Sequence, residues 1–162
     1  MNKFLRYLIL LALPLNNLWL FYFILTPLTI YPVFWLIGLF YPASLSDTFI
    51  YFSSISIEIA HACIAGSAFY LLIILNLATP MPLKTRVYSL FSSILFLLLL
   101  NIIRIFLFSI LFANSYSLFE TIHLFVWNFL SIFIVIGIWF AEARIFNIKH
   151  IPFYTDIKSI KK

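Results

Sequence analysis

Residues Val87 to Phe112 read VYSLFSSILFLLLLNIIRIFLFSILF. Arg104 is the one charge in this run, which exceeds the roughly 20 apolar residues that a helix needs to cross hydrocarbon. Two neighbouring stretches share its character, about Glu58 to Ala78 and about Phe119 to Phe140. They are separated from it by a turn carrying Pro80, Pro82, Lys84 and Arg86, and by the polar stretch Asn114 to Ser117. The pattern predicts three spanning helices. The whole chain agrees: it is 65% hydrophobic and 9% charged, with a mean hydropathy of +1.14, against about 25% charge in an ordinary soluble domain. Between Arg6 and Glu142 the only formal charges are Asp47, Glu58, Lys84, Arg86, Arg104 and Glu120. Such a chain takes a bilayer, not water, as its main solvent.

The N-terminal third is less uniform. An apolar segment from about Leu5 to Leu25 is expected to span, with Pro14 and the Asn16-Asn17 pair weakening its middle into a kink. Lys3 and Arg6 ahead of it imitate a secretory signal, but no small-residue cleavage site leads into a soluble domain, so the segment reads as a helix of the mature protein. Residues 27 to 41 are apolar and aromatic but short for a span, which leaves a short crossing, a re-entrant arm or an interfacial helix. Residues 46 to 57 alternate in part and predict an extended linker at the membrane surface. The expected class is all-α, a polytopic transmembrane helix bundle of about four to six membrane segments. A single membrane domain, 1–148, would be followed by a basic cytoplasmic tail, 149–162.

The net charge of +5 gathers at the ends, in Lys3 and Arg6, then in Arg144, Lys149, Lys158, Lys161 and Lys162. Basic termini of this kind lie against an anionic cytoplasmic leaflet, and no basic patch with interleaved aromatics points to nucleic acid. Lys84 and Arg86 place their turn inside, the tail is also inside, and the Ala113 to Leu118 loop, free of Lys and Arg, is outside. The start of the 58–78 helix, the end of the 87–112 helix and the start of the 119–140 helix then share the outer face of a cell membrane. With Lys3 and Arg6 inside, the number of crossings is even, so residues 27 to 57 contribute zero or two passes.

Charge inside hydrocarbon costs about 2.5 kcal/mol or more for Arg at a helix centre, so it asks for a partner or a purpose. Arg104 lies eight residues before Phe112, roughly 12 Å below the outer end of its helix. Asn101 shares its face, three residues earlier. His123 lies one turn into the last helix and Cys63 near the outer end of the 58–78 helix. Each has a plain explanation alone: a snorkelling arginine, polar helix-packing glue, a small apolar cysteine. Together they fall at similar depths in the outer half of the bilayer, and they make a coherent chemical set. A guanidinium favours the nucleophilic thiolate; the thiolate attacks a peptide carbonyl, His123 protonates the leaving amine, and Arg104 stabilises the oxyanion or holds the thiolate. No cofactor is called for.

Ala60, Ala62, Ala65, Gly66, Ser67 and Ala68 surround the cysteine and allow close approach, either of a packed helix or of an extended substrate. Glu58 and His61 border the site as a second acid/base pair, although His61, two positions from Cys63, points away from it around a helix. Zinc held by Cys63, His61, His123 and Glu58 is conceivable, without a His-Glu-x-x-His motif to support it. The single cysteine rules out an intramolecular disulfide and an all-cysteine metal site.

The order Ala62-Cys63-x-x-Gly66-Ser67, then Asn101-x-x-Arg104, then His123 at the head of the last helix resembles the archaeosortase/exosortase family of multi-pass membrane cysteine transpeptidases, over roughly residues 48 to 140. The resemblance implies that the family's Cys, Arg and His are Cys63, Arg104 and His123. It implies substrates among secreted surface proteins that end in a short motif, a transmembrane helix and a basic cluster. They would be cleaved to a thioester and passed to an acceptor amine, in archaea a membrane lipid. Many members carry Ser or Thr and then Gly directly after the cysteine; here Ile64 and Ala65 come first, as in what looks like an archaeal subgroup. Two other readings are a noncatalytic membrane protein, such as a transporter subunit or assembly scaffold, and an intramembrane protease that hydrolyses instead of transferring.

Overall fold

A computed structural model describes residues 3–12, 18–114, 119–126 and 131–148. Pro14, Asn16 and Asn17, the 115–118 loop and the 149–162 tail lie outside the described residues. The elements run α1 (Lys3–Ala12), α2 (Trp19–Gly38), β1 (Ala43–Ser46), β2 (Phe49–Phe52), β3 (Ile55–Glu58), α3 (His61–Ile64), α4 (Gly66–Ala78), α5 (Leu83–Ala113), α6 (Phe119–Phe125) and α7 (Ser131–Ile145). Among the described residues, three helical stretches are long and apolar enough to cross a membrane: Phe21–Gly38, His61–Ala78 and Leu83–Ala113. The chain falls into two compact units, and α4 and α5 each contribute to both.

Two expectations change. The fold is mainly helical rather than all-α, because residues 43–58 form an antiparallel sheet in the order β1-β2-β3 where an extended linker was expected. The 27–41 piece is not separate: α2 runs unbroken from Trp19 to Gly38 with Pro27 and Pro32 inside it. A proline inside a helix removes one ladder bond, which apolar helices tolerate when neighbouring groups satisfy the freed carbonyl. Within the expected Leu5–Leu25 span lie α1 and the start of α2, and the expected kink at Pro14 and Asn16-Asn17 falls outside the described residues.

The first unit holds α1, α4 from Ser67, α5 to Leu97, and α7 from Ile132. Its core mixes Phe69, Leu72, Leu77, Val135, Ile138 and Trp139 with buried polar side chains, Arg6, Asn76, Thr79, Arg86, Ser89, Ser93 and Glu142. Two arginines serve the C-terminal end of α4, where carbonyls have run out of ladder partners. Arg86 donates to the carbonyls of Asn76 at 2.6 Å and Thr79 at 2.8 Å, and Arg6 donates to that of Leu77 at 2.7 Å. A cation at this end also opposes the helix dipole. Arg86 is thus a buried helix cap, and of the two basic residues of that turn only Lys84 is exposed.

The second unit holds α2, the sheet, α3, α5 from Leu98, and α6. Along α2, Leu25, Ile30, Val33 and Ile37 are buried, while Phe23 and Trp35 stay exposed. The sheet alternates in the same sense: Ile50 and Phe52 of β2 are buried, with Ile57 and Ile55 of β3 opposite them on the same face. Its two turns are two residues each. Asp47 has φ 56°, and Ser53 and Ser54 have φ 49° and 62°, the twin positive values that a tight hairpin demands.

Removing the cap on α4 tests its weight. Arg86→Leu leaves two buried carbonyls without this donor and is expected to lower stability by about 2–4 kcal/mol, read as a drop in the detergent unfolding midpoint, whereas Lys84→Leu changes it by less than about 0.5 kcal/mol.

Candidate functional site

Cys63 sits on a helix that stops and restarts. Ala60 is extended, with φ −67° and ψ 162°, and α3 then makes one turn from His61 before Ala65 turns left-handed at φ 59° and ψ 36°. The Cys63 N–H donates to the Ala60 carbonyl at 2.8 Å and the Ala65 N–H to the Ala62 carbonyl at 3.3 Å, which closes the short helix. A left-handed alanine costs roughly 1–2 kcal/mol, so something has to hold the break. What holds it comes from α5. Asn101 donates its Nδ2 to the Cys63 carbonyl at 3.0 Å and Arg104 donates from a terminal guanidinium nitrogen to the same oxygen at 3.2 Å. The carbonyl, left at an interrupted ladder, takes side-chain donors in place of a backbone amide.

Glycine follows the left-handed residue instead of occupying it. Its reason is space. A Cβ on Gly66 would lie 3.0 Å from two ring carbons of Tyr22 and 3.2 Å from its hydroxyl. The same Tyr22 ring packs on His61, with centroids 4.5 Å apart. Tyr22 is therefore a residue of the site's surroundings that sequence reasoning missed, since nothing in the apolar pattern of α2 distinguishes it from its neighbours.

Beside the break lies a cavity of about 270 Å³, and Cys63, Arg104, His123 and Glu58 all line it. Arg104, Ile105, Phe108, Ser109 and Phe112 fall on one side of α5, in pairs that recur a turn apart, and line the space. The end of β3, Ser56 to Glu58, makes another wall. Phe108 meets the His123 ring edge-on at a centroid distance of 5.3 Å and an angle of 70°, the arrangement aromatic quadrupoles prefer. Cys63 is half-buried and faces the same cavity as the Arg104 guanidinium and the Glu58 carboxylate.

Of the residues singled out from sequence, Cys63, Arg104, His123 and Glu58 thus share one cavity, and Asn101 supports it from 5% exposure. His61 does not join them; it is exposed and turned to Tyr22. Ser67, exposed in the first turn of α4, is absent from the lining. Arg104 binds the main chain of Cys63, a role the charge argument did not foresee. Among the described residues no three His, Cys, Asp or Glu side chains gather to hold a metal ion, so the four-ligand zinc arrangement does not form. Comparison of the chain with protein families, with curated proteins and with solved structures gives no match.

The clamp is expected to be felt at the thiol. Arg104→Ala removes a donor and the adjacent positive charge together, and the rate of Cys63 alkylation by iodoacetamide at neutral pH should fall roughly tenfold. Asn101→Ala removes a donor alone and should lower it by less than about threefold. Equal losses in the two variants would assign the effect to the backbone bond rather than to charge.

Proposed function

We propose that the chain is a multi-pass membrane cysteine transpeptidase of the archaeosortase/exosortase type. The observation that carries this reading is the convergence of Cys63, Arg104 and His123 on one cavity. In the proposed reaction the Cys63 thiolate attacks a peptide carbonyl and the C–N bond breaks. His123, as imidazolium, gives its proton to the departing amine, leaving an acyl thioester on the sulfur. An acceptor amine then attacks the thioester carbonyl, loses its proton to the neutral imidazole and expels the thiolate, which restores the starting state. Arg104 offers positive charge beside the sulfur while fixing the main chain that carries it.

The topology that fits has four crossings with both termini cytoplasmic. α2 runs outward, the sheet and Cys63 stand at the outer side, α3 and α4 return, α5 runs out again, and α6 with α7 returns. The exposed Lys84 and the basic tail supply the inside charge. Four crossings also satisfy the even count, with α2 as the first of them. Substrates are then secreted surface proteins tethered by a C-terminal transmembrane helix with a basic end. The acceptor is a membrane lipid.

One observation favours a different class. The Arg104 bond goes to a backbone carbonyl, which is also what a noncatalytic scaffold or transporter subunit would use to stabilise a helix break. The two readings part at the sulfur. Cys63→Ala and His123→Ala are expected to reduce maturation of a C-terminally tailed surface protein by more than about a hundredfold, followed by immunoblot in membranes of the producing cell. Normal maturation in Cys63→Ala would sink the transpeptidase reading. Mass analysis of the new C-terminus separates transfer, which adds the acceptor's mass, from hydrolysis, which leaves a free carboxylate.

A further inference from the structure

The strand that walls the cavity has one edge to spare. With the order β1-β2-β3, β3 borders β2 on one side only. In an antiparallel ladder, residues alternate between those that exchange bonds with the neighbouring strand and those whose N–H and C=O point the other way. The phase here is set by the Ile59 N–H, which donates to the Thr48 carbonyl at 3.0 Å. Ile57 opposite Ile50 and Ile55 opposite Phe52 share that phase, while Ser56 opposite Tyr51 and Glu58 opposite Phe49 do not. The main-chain N–H and C=O of Ser56 and Glu58 therefore point out of the sheet, away from β2. Both residues line the cavity that holds Cys63.

Open strand edges recruit further strands, and soluble proteins blunt them with charge, proline or a covering element. This edge keeps a single charge, Glu58, and runs directly into the site. We infer that an extended polypeptide segment binds as a fourth strand along the free edge of β3, pairing with the main chain of Ser56 and Glu58 and so presenting a peptide carbonyl to Cys63. The inference rests on the transpeptidase reading and names how its substrate is held. The recognised feature is an unfolded main chain, taken through backbone hydrogen bonds that any sequence can offer. Side-chain selection is left to every second position, where Ile105, Phe108 and Phe112 offer an apolar surface.

A covalent probe separates the parts. An acetyl-capped tripeptidyl chloromethyl ketone alkylates a thiolate with loss of chloride, and backbone N-methylation removes its donors one at a time without altering the warhead. On the detergent-solubilised protein, methylation in one alternate register is expected to slow Cys63 labelling roughly tenfold, and in the other by less than about twofold. Iodoacetamide, which needs no strand, serves as the reference. Ser56→Pro removes an outward N–H and no bond to β2, as proline does at a strand edge, and should abolish the difference between registers. Equal labelling by all methylated probes, with normal iodoacetamide reactivity, overturns strand docking and leaves the reactive thiol standing. A Cys63 inert to every reagent until denatured overturns the transpeptidase reading and the docking with it.

Discussion

The carbonyl oxygen of Cys63 is the point on which the site depends. A helix that passed straight through residue 65 would keep that oxygen in its own ladder and give the thiol the same surroundings as any apolar side chain. The left-handed turn at Ala65 takes it out of the ladder, and Asn101 and Arg104 take it up. An arginine placed in an apolar helix solves its own desolvation problem in the same contact, since a charged donor in low dielectric needs an acceptor. Helix break, polar pair and thiol environment are one arrangement seen from three sides.

The same solution appears in the first unit. There Arg6 and Arg86 meet the last carbonyls of α4, and in the second unit Arg104 meets a carbonyl at the end of α3. Each is a helix C-terminus, where the last carbonyls have no partner in their own ladder. Guanidinium is well suited to this work, with several donors in a fixed plane and weak hydration for its charge. Arginines that read from sequence as topological markers or catalytic groups are also structural caps.

Much of the helical frame is legible in the sequence because hydrocarbon imposes a length. Val87 to Phe112 lies within α5, and Glu58 to Ala78 is close to the His61–Ala78 stretch. The sheet is harder to see: its turns use Asp47-Thr48 and Ser53-Ser54 in place of the glycine-bearing pairs that advertise a hairpin. The signal that was there is the alternation Ser54-Ile55-Ser56-Ile57-Glu58, short but regular. Pro27 and Pro32 argue against one helix over 19–38 and are overruled by its apolar setting. For the site, charge and depth single out Cys63, Arg104 and His123, which the structure gathers. The break at Ala65 and the contact of Gly66 with Tyr22 have no local signature, because both are settled by residues far along the chain.

That distance in sequence has a bearing on how the protein is made. The partners of the Cys63 carbonyl come 38 and 41 residues after it, so a ribosome has finished the cysteine well before it adds them. Through that interval the growing chain has the thiol without the neighbours that shape its surroundings. The thiol gains its setting only when α5 has been synthesised and has taken its place. A chain truncated before Asn101 leaves the Cys63 carbonyl without either of these side-chain donors.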